Sequence, residues 1–291
     1  MNGVINYETL HQLKATQLLL VECPDRPGLV HGITSVLLSH GCNVTSNHEF
    51  VDQETGRFFM RTEFTGDADP VHIEKETLGV LPQPAIVRLS SLAPRRIVVL
   101  CSREHHCLAD LVVRHNFGEI NARILAVASN YPALADFVGK FDLPFHAVSH
   151  LEIAREEHER RLLDILTRYE PDFLVLAKYM RVLSPQFVAR FPSRIINIHH
   201  SFLPAFAGAK PYQQAFRRGV KVIGATAHFV TDALDEGPII VQEVLPVDHT
   251  HGPQDLAQAG REVEKLALAR ALKLVFEDRV FLCANRTVIF D

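Results

Sequence analysis

Cysteine is sparse in this chain of 291 residues: Cys23, Cys42, Cys101, Cys107 and Cys283. Their number is odd and no Cys-x-x-Cys spacing occurs. That argues against a disulfide framework or a zinc ribbon, and for reduced thiols in a cytoplasmic protein. No apolar run is long enough to span a bilayer. Residues 1–16 are polar and mixed, unlike a signal peptide. A surplus of positive charge is also missing. The formal net charge is −4 and no basic patch of nucleic-acid type occurs, so neither nucleic acid nor membrane is an expected partner. Internal repeats and low-complexity segments are absent. What remains is an ordinary globular composition, 47% hydrophobic and 22% charged, at a length that fits about two domains. Histidine is abundant, at 16 residues. Most are scattered and read as surface or locally satisfied rings.

Two patterns divide the chain. Up to residue 90 the order is β-α-β-β-α-β: strand 17–22, helix 29–40 ended by Gly41, hairpin 43–51 and 57–64, a weak helix at 69–78 and a strand at 85–89. This predicts a ferredoxin-like split βαβ unit. Helix 29–40 carries Leu29, Ile33, Val36 and Leu37 at helical spacing. Residues 90–95 read as a linker.

From 96 onward strands and helices alternate. Strands are expected at 96–101, 120–128, 145–148, 173–176, 195–199 and 222–230. Helices are expected between them at 108–115, 133–141, 154–169, 185–191 and 211–218. The alternation predicts a doubly wound, mostly parallel α/β sheet. Residues 239–247 should pair with 222–230, a long helix at 254–277 should pack back on the sheet, and 279–291 reads as a small hairpin. The expected domains are 1–90, for regulation or assembly, and 91–291, for catalysis.

The stretch 195–206 reads Ile-Ile-Asn-Ile-His-His-Ser-Phe-Leu-Pro-Ala-Phe. Ile195, Ile196 and Ile198 are β-branched and apolar, as in a buried strand. Asn197 and His199 are two apart, so on a strand both project from one face. His200 should point to the other. The strand ends at the Leu203-Pro204 turn, which could hold a cis peptide. Ligands of open α/β sheets bind outside such strand ends. A second stretch, 222–238, is a strand running into a turn-rich loop with Asp232 and Asp235.

Together these stretches resemble the folate-dependent formyltransferase family. The shared residues are Asn197, His199, Ser201, Leu203 and Pro204, then His228, Val230, Asp235, Gly237 and Pro238. The resemblance implies a Rossmann-like formyltransferase domain with three catalytic positions. Asn197 and His199 stabilise the oxyanion of the formyl group, and Asp235 tunes His199 and shuttles protons. Met180, Arg181, Val182 and Leu183, in a segment where Ser184 could equally cap a helix, are expected to hold the folate together with Asp232 and Gly237. Thr226 and His228 are expected to orient Asp235 or hold the reacting water, with a satisfied buried ring as the other reading of His228. Metal binding by His199, His200 and His228 is disfavoured by their facing. No prosthetic group is expected.

The turn Asp25-Arg26-Pro27-Gly28-Leu29 resembles the signature of ACT domains. It implies an amino-acid effector contacting Asp25, Arg26, Gly28 and Leu29, or a module that only assembles subunits into a homodimer or homotetramer. The glycine is expected to allow close approach of a ligand or a partner strand.

Family members that formylate glycinamide ribonucleotide hold its phosphate in a glycine-rich loop after the first strand. Here residues 101–108 contain no glycine but carry Arg103, His105 and His106. Members that formylate initiator tRNA carry a further C-terminal domain, for which this chain leaves no length. Water is then the most economical acceptor. The implied reaction converts 10-formyltetrahydrofolate and water to formate and tetrahydrofolate, supplying formate for purine synthesis and balancing the one-carbon pool. The alternatives are transfer to a small amine, or an amino-acid-binding regulator with a vestigial catalytic domain.

Overall fold

The computed structural model describes residues 16–204 and 211–291. The polar segment read at 1–16 lies outside them but for Thr16, as do Ala205 and Phe206. The chain divides after Ala93 into two compact units.

In the first unit, β1 (Gln17–Pro24) sends Leu19, Val21 and Cys23 into the same apolar cluster as Leu29, Ile33 and Leu37 of α1 (Leu29–Ser39). A hairpin of β2 (Asn43–Asp52) and β3 (Arg57–Thr65) follows. Asp52 Oδ1 accepts from the amides of Glu54 and Thr55 and so shapes its turn. α2 (Pro70–Val80) begins at Asp69, whose side chain accepts from the Val71 amide, with Pro70 at the first helical position. β4 (Ile86–Ser91) completes an antiparallel sheet of order β2-β3-β1-β4. This is the expected ferredoxin-like arrangement.

In the second unit, β5 (Arg95–Cys101), β6 (Ala122–Ser129), β7 (Phe145–Ala147), β8 (Phe173–Ala177) and β9 (Ile195–His199) run parallel. β10 (Val222–Phe229) is antiparallel to β9, and β11 (Ile239–Pro246) antiparallel to β10. The order is β11-β10-β9-β8-β5-β6-β7. Alternate residues of β5 enter different cores. Ile97, Val99 and Cys101 pack with α3 (His106–Asn116) and α8 (Pro253–Phe276), while Val98 and Leu100 pack with α5 (Arg155–Tyr169). Burial on both faces explains the unbroken apolar run of the strand. α7 (Pro211–Arg218) precedes β10, and a hairpin of β12 (Val280–Cys283) and β13 (Arg286–Ile289) follows α8.

Two helices are shorter than their patterns. The region 133–141 forms a 3-10 turn at Pro132–Leu134 and then α4 (Ala135–Gly139). The helix at 185 ends as α6 (Pro185–Val188). Leu203–Pro204 and Gln83–Pro84 are cis peptides.

Candidate active site

β8 and β9 run parallel and β10 lies antiparallel beside β9, and the segments that follow β8 and β10 wall, together with residues of β9, a cleft of about 280 Å³. Asn197 and His199 line it from β9, His200 from just beyond that strand, Met180 to Leu183 from the segment after β8, and His228 with residues 231–235 from β10 and its loop. Pairing across β9 and β10 sets Asn197 opposite His228 and His199 opposite Thr226.

The three proposed catalytic positions come together. His199 Nδ1 lies 3.3 Å from Asp235 Oδ2. The hydrogen bond from His199 lowers the Asp235 carboxyl, against the opposing effect of burial. His199 Nε2 is buried and, among the described residues, has no hydrogen-bond partner. Asp235 reaches this position with φ of 57°, a left-handed conformation that costs energy outside glycine and recurs at functional sites.

The partner of Asn197 is His228. Its Nδ1 is 2.9 Å from the Phe229 carbonyl, which can only accept, so Nδ1 carries the proton. Burial lowers the pKa of the ring and favours the neutral form. Nε2 is then an acceptor, 3.2 Å from Asn197 Nδ2. One amide proton of Asn197 is thereby fixed and the other remains for a ligand. His228 Nε2 also lies 3.7 Å from Asp235 Oδ1.

Several expected roles need correction. Thr226 does not line the cleft. It is fully buried, donates to the Ser201 carbonyl at 2.9 Å and accepts from the Leu203 amide at 3.1 Å, so it pins the turn after β9. Gly237 is likewise outside the cleft wall. Its place is set by space: a Cβ there would sit 1.8 Å from the Phe229 carbonyl oxygen. His200 does not turn away from His199. The strand stops at His199, alternation stops with it, and the two rings stack with centroids 4.9 Å apart at 20°. The Leu203-Pro204 turn signalled that the strand was ending there.

The segment after β8 is held from two sides. Ser102 Oγ accepts from the Met180 amide at 3.0 Å. Arg155 Nη2 donates to the Val182 carbonyl at 2.9 Å, which leaves that carbonyl engaged. Ser184 caps α6 and donates to Glu159. Lys178, missed as a site residue, also lines the cleft. In the loop after β5, Arg103 lies over the Tyr131 ring at 3.9 Å, and no glycine-rich phosphate cradle is present.

In the first unit, Gly28 precedes α1 with φ of 86°, and nothing lies within 4 Å of where its Cβ would be. Its positive φ calls for glycine. Leu29 is buried in the local core, while Arg26 Nη2 donates to the Val80 carbonyl at 2.7 Å. Asp25 is exposed. Among the described residues no helix is long and apolar enough to cross a membrane.

Residues 95–272 match the formyl transferase family and residues 17–80 the ACT domain family. A formyltetrahydrofolate deformylase of Escherichia coli strain K12 is 50% identical over 280 residues, covering 96% of this chain and all of that one. The crystal structure of a formyltetrahydrofolate deformylase from Pseudomonas syringae pv. tomato superposes with a TM-score of 0.92 at 38% identity, over 98% of this chain and 97% of the other. A glycinamide ribonucleotide transformylase of Symbiobacterium toebii gives a TM-score of 0.65 at 32% identity, over 68% of this chain and 95% of its own. With near full-length identity to such deformylases and both family matches in its own sequence, the chain belongs to the formyltetrahydrofolate deformylase family, hydrolases that act on a C–N bond.

Proposed function

We propose that the cleft hydrolyses 10-formyltetrahydrofolate through Asn197, His199 and Asp235. Water attacks the formyl carbon and the carbonyl oxygen becomes anionic. Asn197 Nδ2 and His199 Nε2 donate to that oxygen, a form of stabilisation that counts most where water is excluded. Asp235 anchors His199 through Nδ1 and takes the proton of the attacking water. The proton passes to N10 of the folate as the C–N bond breaks, and formate and tetrahydrofolate leave. The observation that carries this reading is the His199–Asp235 contact at 3.3 Å, with the far ring nitrogen buried and without a partner among the described residues.

Met180, Val182 and Leu183 supply apolar wall for the pterin, and the 231–235 loop supplies polar groups for its edge. Thr226, Gly237 and His228 act indirectly. They hold the turn after β9, the path of the loop and the amide of Asn197. We assign residues 1–90 to regulation and assembly and residues 91–291 to catalysis. Asp25, Arg26 and the backbone at Gly28 form the candidate contact for an amino-acid effector, and Leu29 serves the core.

The test is formate release from 10-formyltetrahydrofolate without any amine, for the wild type and Asp235→Asn. Turnover should fall by about 10²–10⁴-fold in the variant, the range for losing a general base, while folate still binds. Full turnover in D235N removes Asp235 from the mechanism. An absolute need for an amine removes hydrolysis.

A further inference from the structure

The chain order of the second sheet diverges at β5 and β8. In open α/β sheets the crevice beyond the carboxyl ends of such a strand pair is a ligand entrance. Here the residues just after the two strands, Lys178 after β8 and His106 after β5, both reach Glu264. Lys178 follows β8, is 4% exposed, and places Nζ 3.1 Å from Glu264 Oε2. Glu264 lies on the inner face of α8 and is 1% exposed. It accepts from His106 Nε2, in the first turn of α3, at 2.8 Å and from Tyr212 Oη, on α7, at 2.7 Å. Burial alone would raise its carboxyl. The His106 hydrogen bond, the Lys178 ammonium and the Tyr212 hydroxyl outweigh it and hold the pKa down to about 2.

Two observations tie this cluster to the formyl site. Lys178 shares the cleft wall with Asn197 and His199. Its charge also lowers the pKa of His200, after the larger effect of burial, and His200 stacks on His199. A third observation marks the lysine as more than filler. Its φ is 62°, so the chain retains a long side chain where glycine would be unstrained.

His106, Cys107 and Glu264 are close enough to share a metal ion. The Lys178 ammonium already neutralises the Glu264 oxygen that such an ion would need, and burial keeps the Cys107 thiol protonated. The cluster is therefore a closed ion network.

We propose that the Lys178–Glu264–His106–Tyr212 network selects the formyl acceptor, closing the β5–β8 half of the crevice to amines and leaving the formyl carbon to water. This rests on the hydrolytic reading above. An amine needs room for its substituent beside the formyl carbon, where Lys178 stands in the cleft wall, held from behind by Glu264 with His106 and Tyr212. An amine arriving protonated also meets a like charge in a site of low dielectric. Water brings neither burden.

The test compares wild type, Lys178→Gly and the double variant K178G/E264Q. Each is given 10-formyltetrahydrofolate and methoxyamine at neutral pH. Formate and N-methoxyformamide are quantified above the enzyme-free rate. In the transfer, the amine nitrogen bonds to the formyl carbon, the C–N10 bond breaks, and the amine's proton ends on N10. Glycine suits the backbone at 178, and the double variant leaves no buried carboxylate without its cation. The wild type should give formate alone. The variants should raise the ratio of formyl amine to formate by at least about 10-fold, the discrimination that a filled pocket commonly provides. An unchanged ratio in a variant that keeps its circular dichroism overturns the assignment. So does a wild type that already makes the formyl amine, and that measurement needs no variant to fold. A wild type that releases no formate defeats the hydrolytic reading, and this inference with it.

Discussion

Asn197 Nδ2 and His228 Nε2 face each other 3.2 Å apart across neighbouring antiparallel strands. The Phe229 carbonyl fixes the tautomer of His228, and the tautomer fixes the carboxamide. The orientation of the Asn197 carboxamide on β9 is thus set by a backbone oxygen on β10.

Replacing His228 by Leu should release the Asn197 carboxamide without opening the cleft. We expect kcat to fall by about 10²-fold, as when an oxyanion donor is misplaced, with little change in KM. His228→Gln puts an acceptor oxygen near the lost nitrogen and should recover most of the loss. Steady-state formate release reads both. Equal activity in H228L would separate His228 from the orientation of Asn197.

Much of this site was legible because strand alternation is rigid. Asn197 and His199 share a face by period alone, and the apolar run around them marks a buried strand. What failed to show in the sequence depends on where that period stops. Strand alternation carried one residue past the end of β9 puts His200 on the wrong side. Thr226 shares the correct face but lies deeper, under the turn, so facing alone placed it wrongly among ligand contacts. The Lys178–Glu264 pair joins residues that follow a strand and lie mid-helix, and no local pattern links them. The ferredoxin-like and doubly wound halves were read from element order. Apolar residues continue beyond the ends of α4 and α6, so the pattern reads longer than either helix is.

Glu264 predicts an acid-dependent stability. Its carboxyl is held below the ordinary 4.5, at about 2, so the unfolded chain takes up the proton first as pH falls. The stability it contributes is fully present above 4.5 and is lost as pH drops toward 2. Thermal melts of wild type and Glu264→Gln should show an advantage of the wild type that shrinks across this window. A constant difference would mean that the charge state of Glu264 does not matter to folding.

His200 predicts a second pH effect, through a different proton. Burial first, then the Lys178 charge, lowers its pKa from 6.5 to about 4. The unfolded chain again binds the proton first. The folded state therefore loses stability as pH falls from 6.5 toward 4, and His200 has no such effect above that range. His200→Asn should remove this loss. In nitrogen-15 spectra of the wild type, the His200 ring should remain neutral in mildly acidic buffer, where exposed histidines titrate. A ring that protonates with those exposed residues would contradict the half-buried, stacked geometry.

Gly237 predicts a defect of stability that becomes a defect of catalysis. An added Cβ would meet the Phe229 carbonyl oxygen at 1.8 Å. That contact is backbone against backbone, so no side-chain rotamer relieves it. The Phe229 amide also donates to the Pro238 carbonyl at 2.9 Å, so moving the loop away breaks a strand hydrogen bond. Gly237→Ala should cost about 1–3 kcal/mol, the range for overpacking, measured by denaturant unfolding. Asp235 sits two residues earlier and reaches His199 only along this path. Formate release should therefore fall further than the folded fraction accounts for, and an Asp235-independent site such as the Lys178–Glu264 pair should be undisturbed. Full activity in a folded G237A protein would show that the loop reaches His199 by some other route.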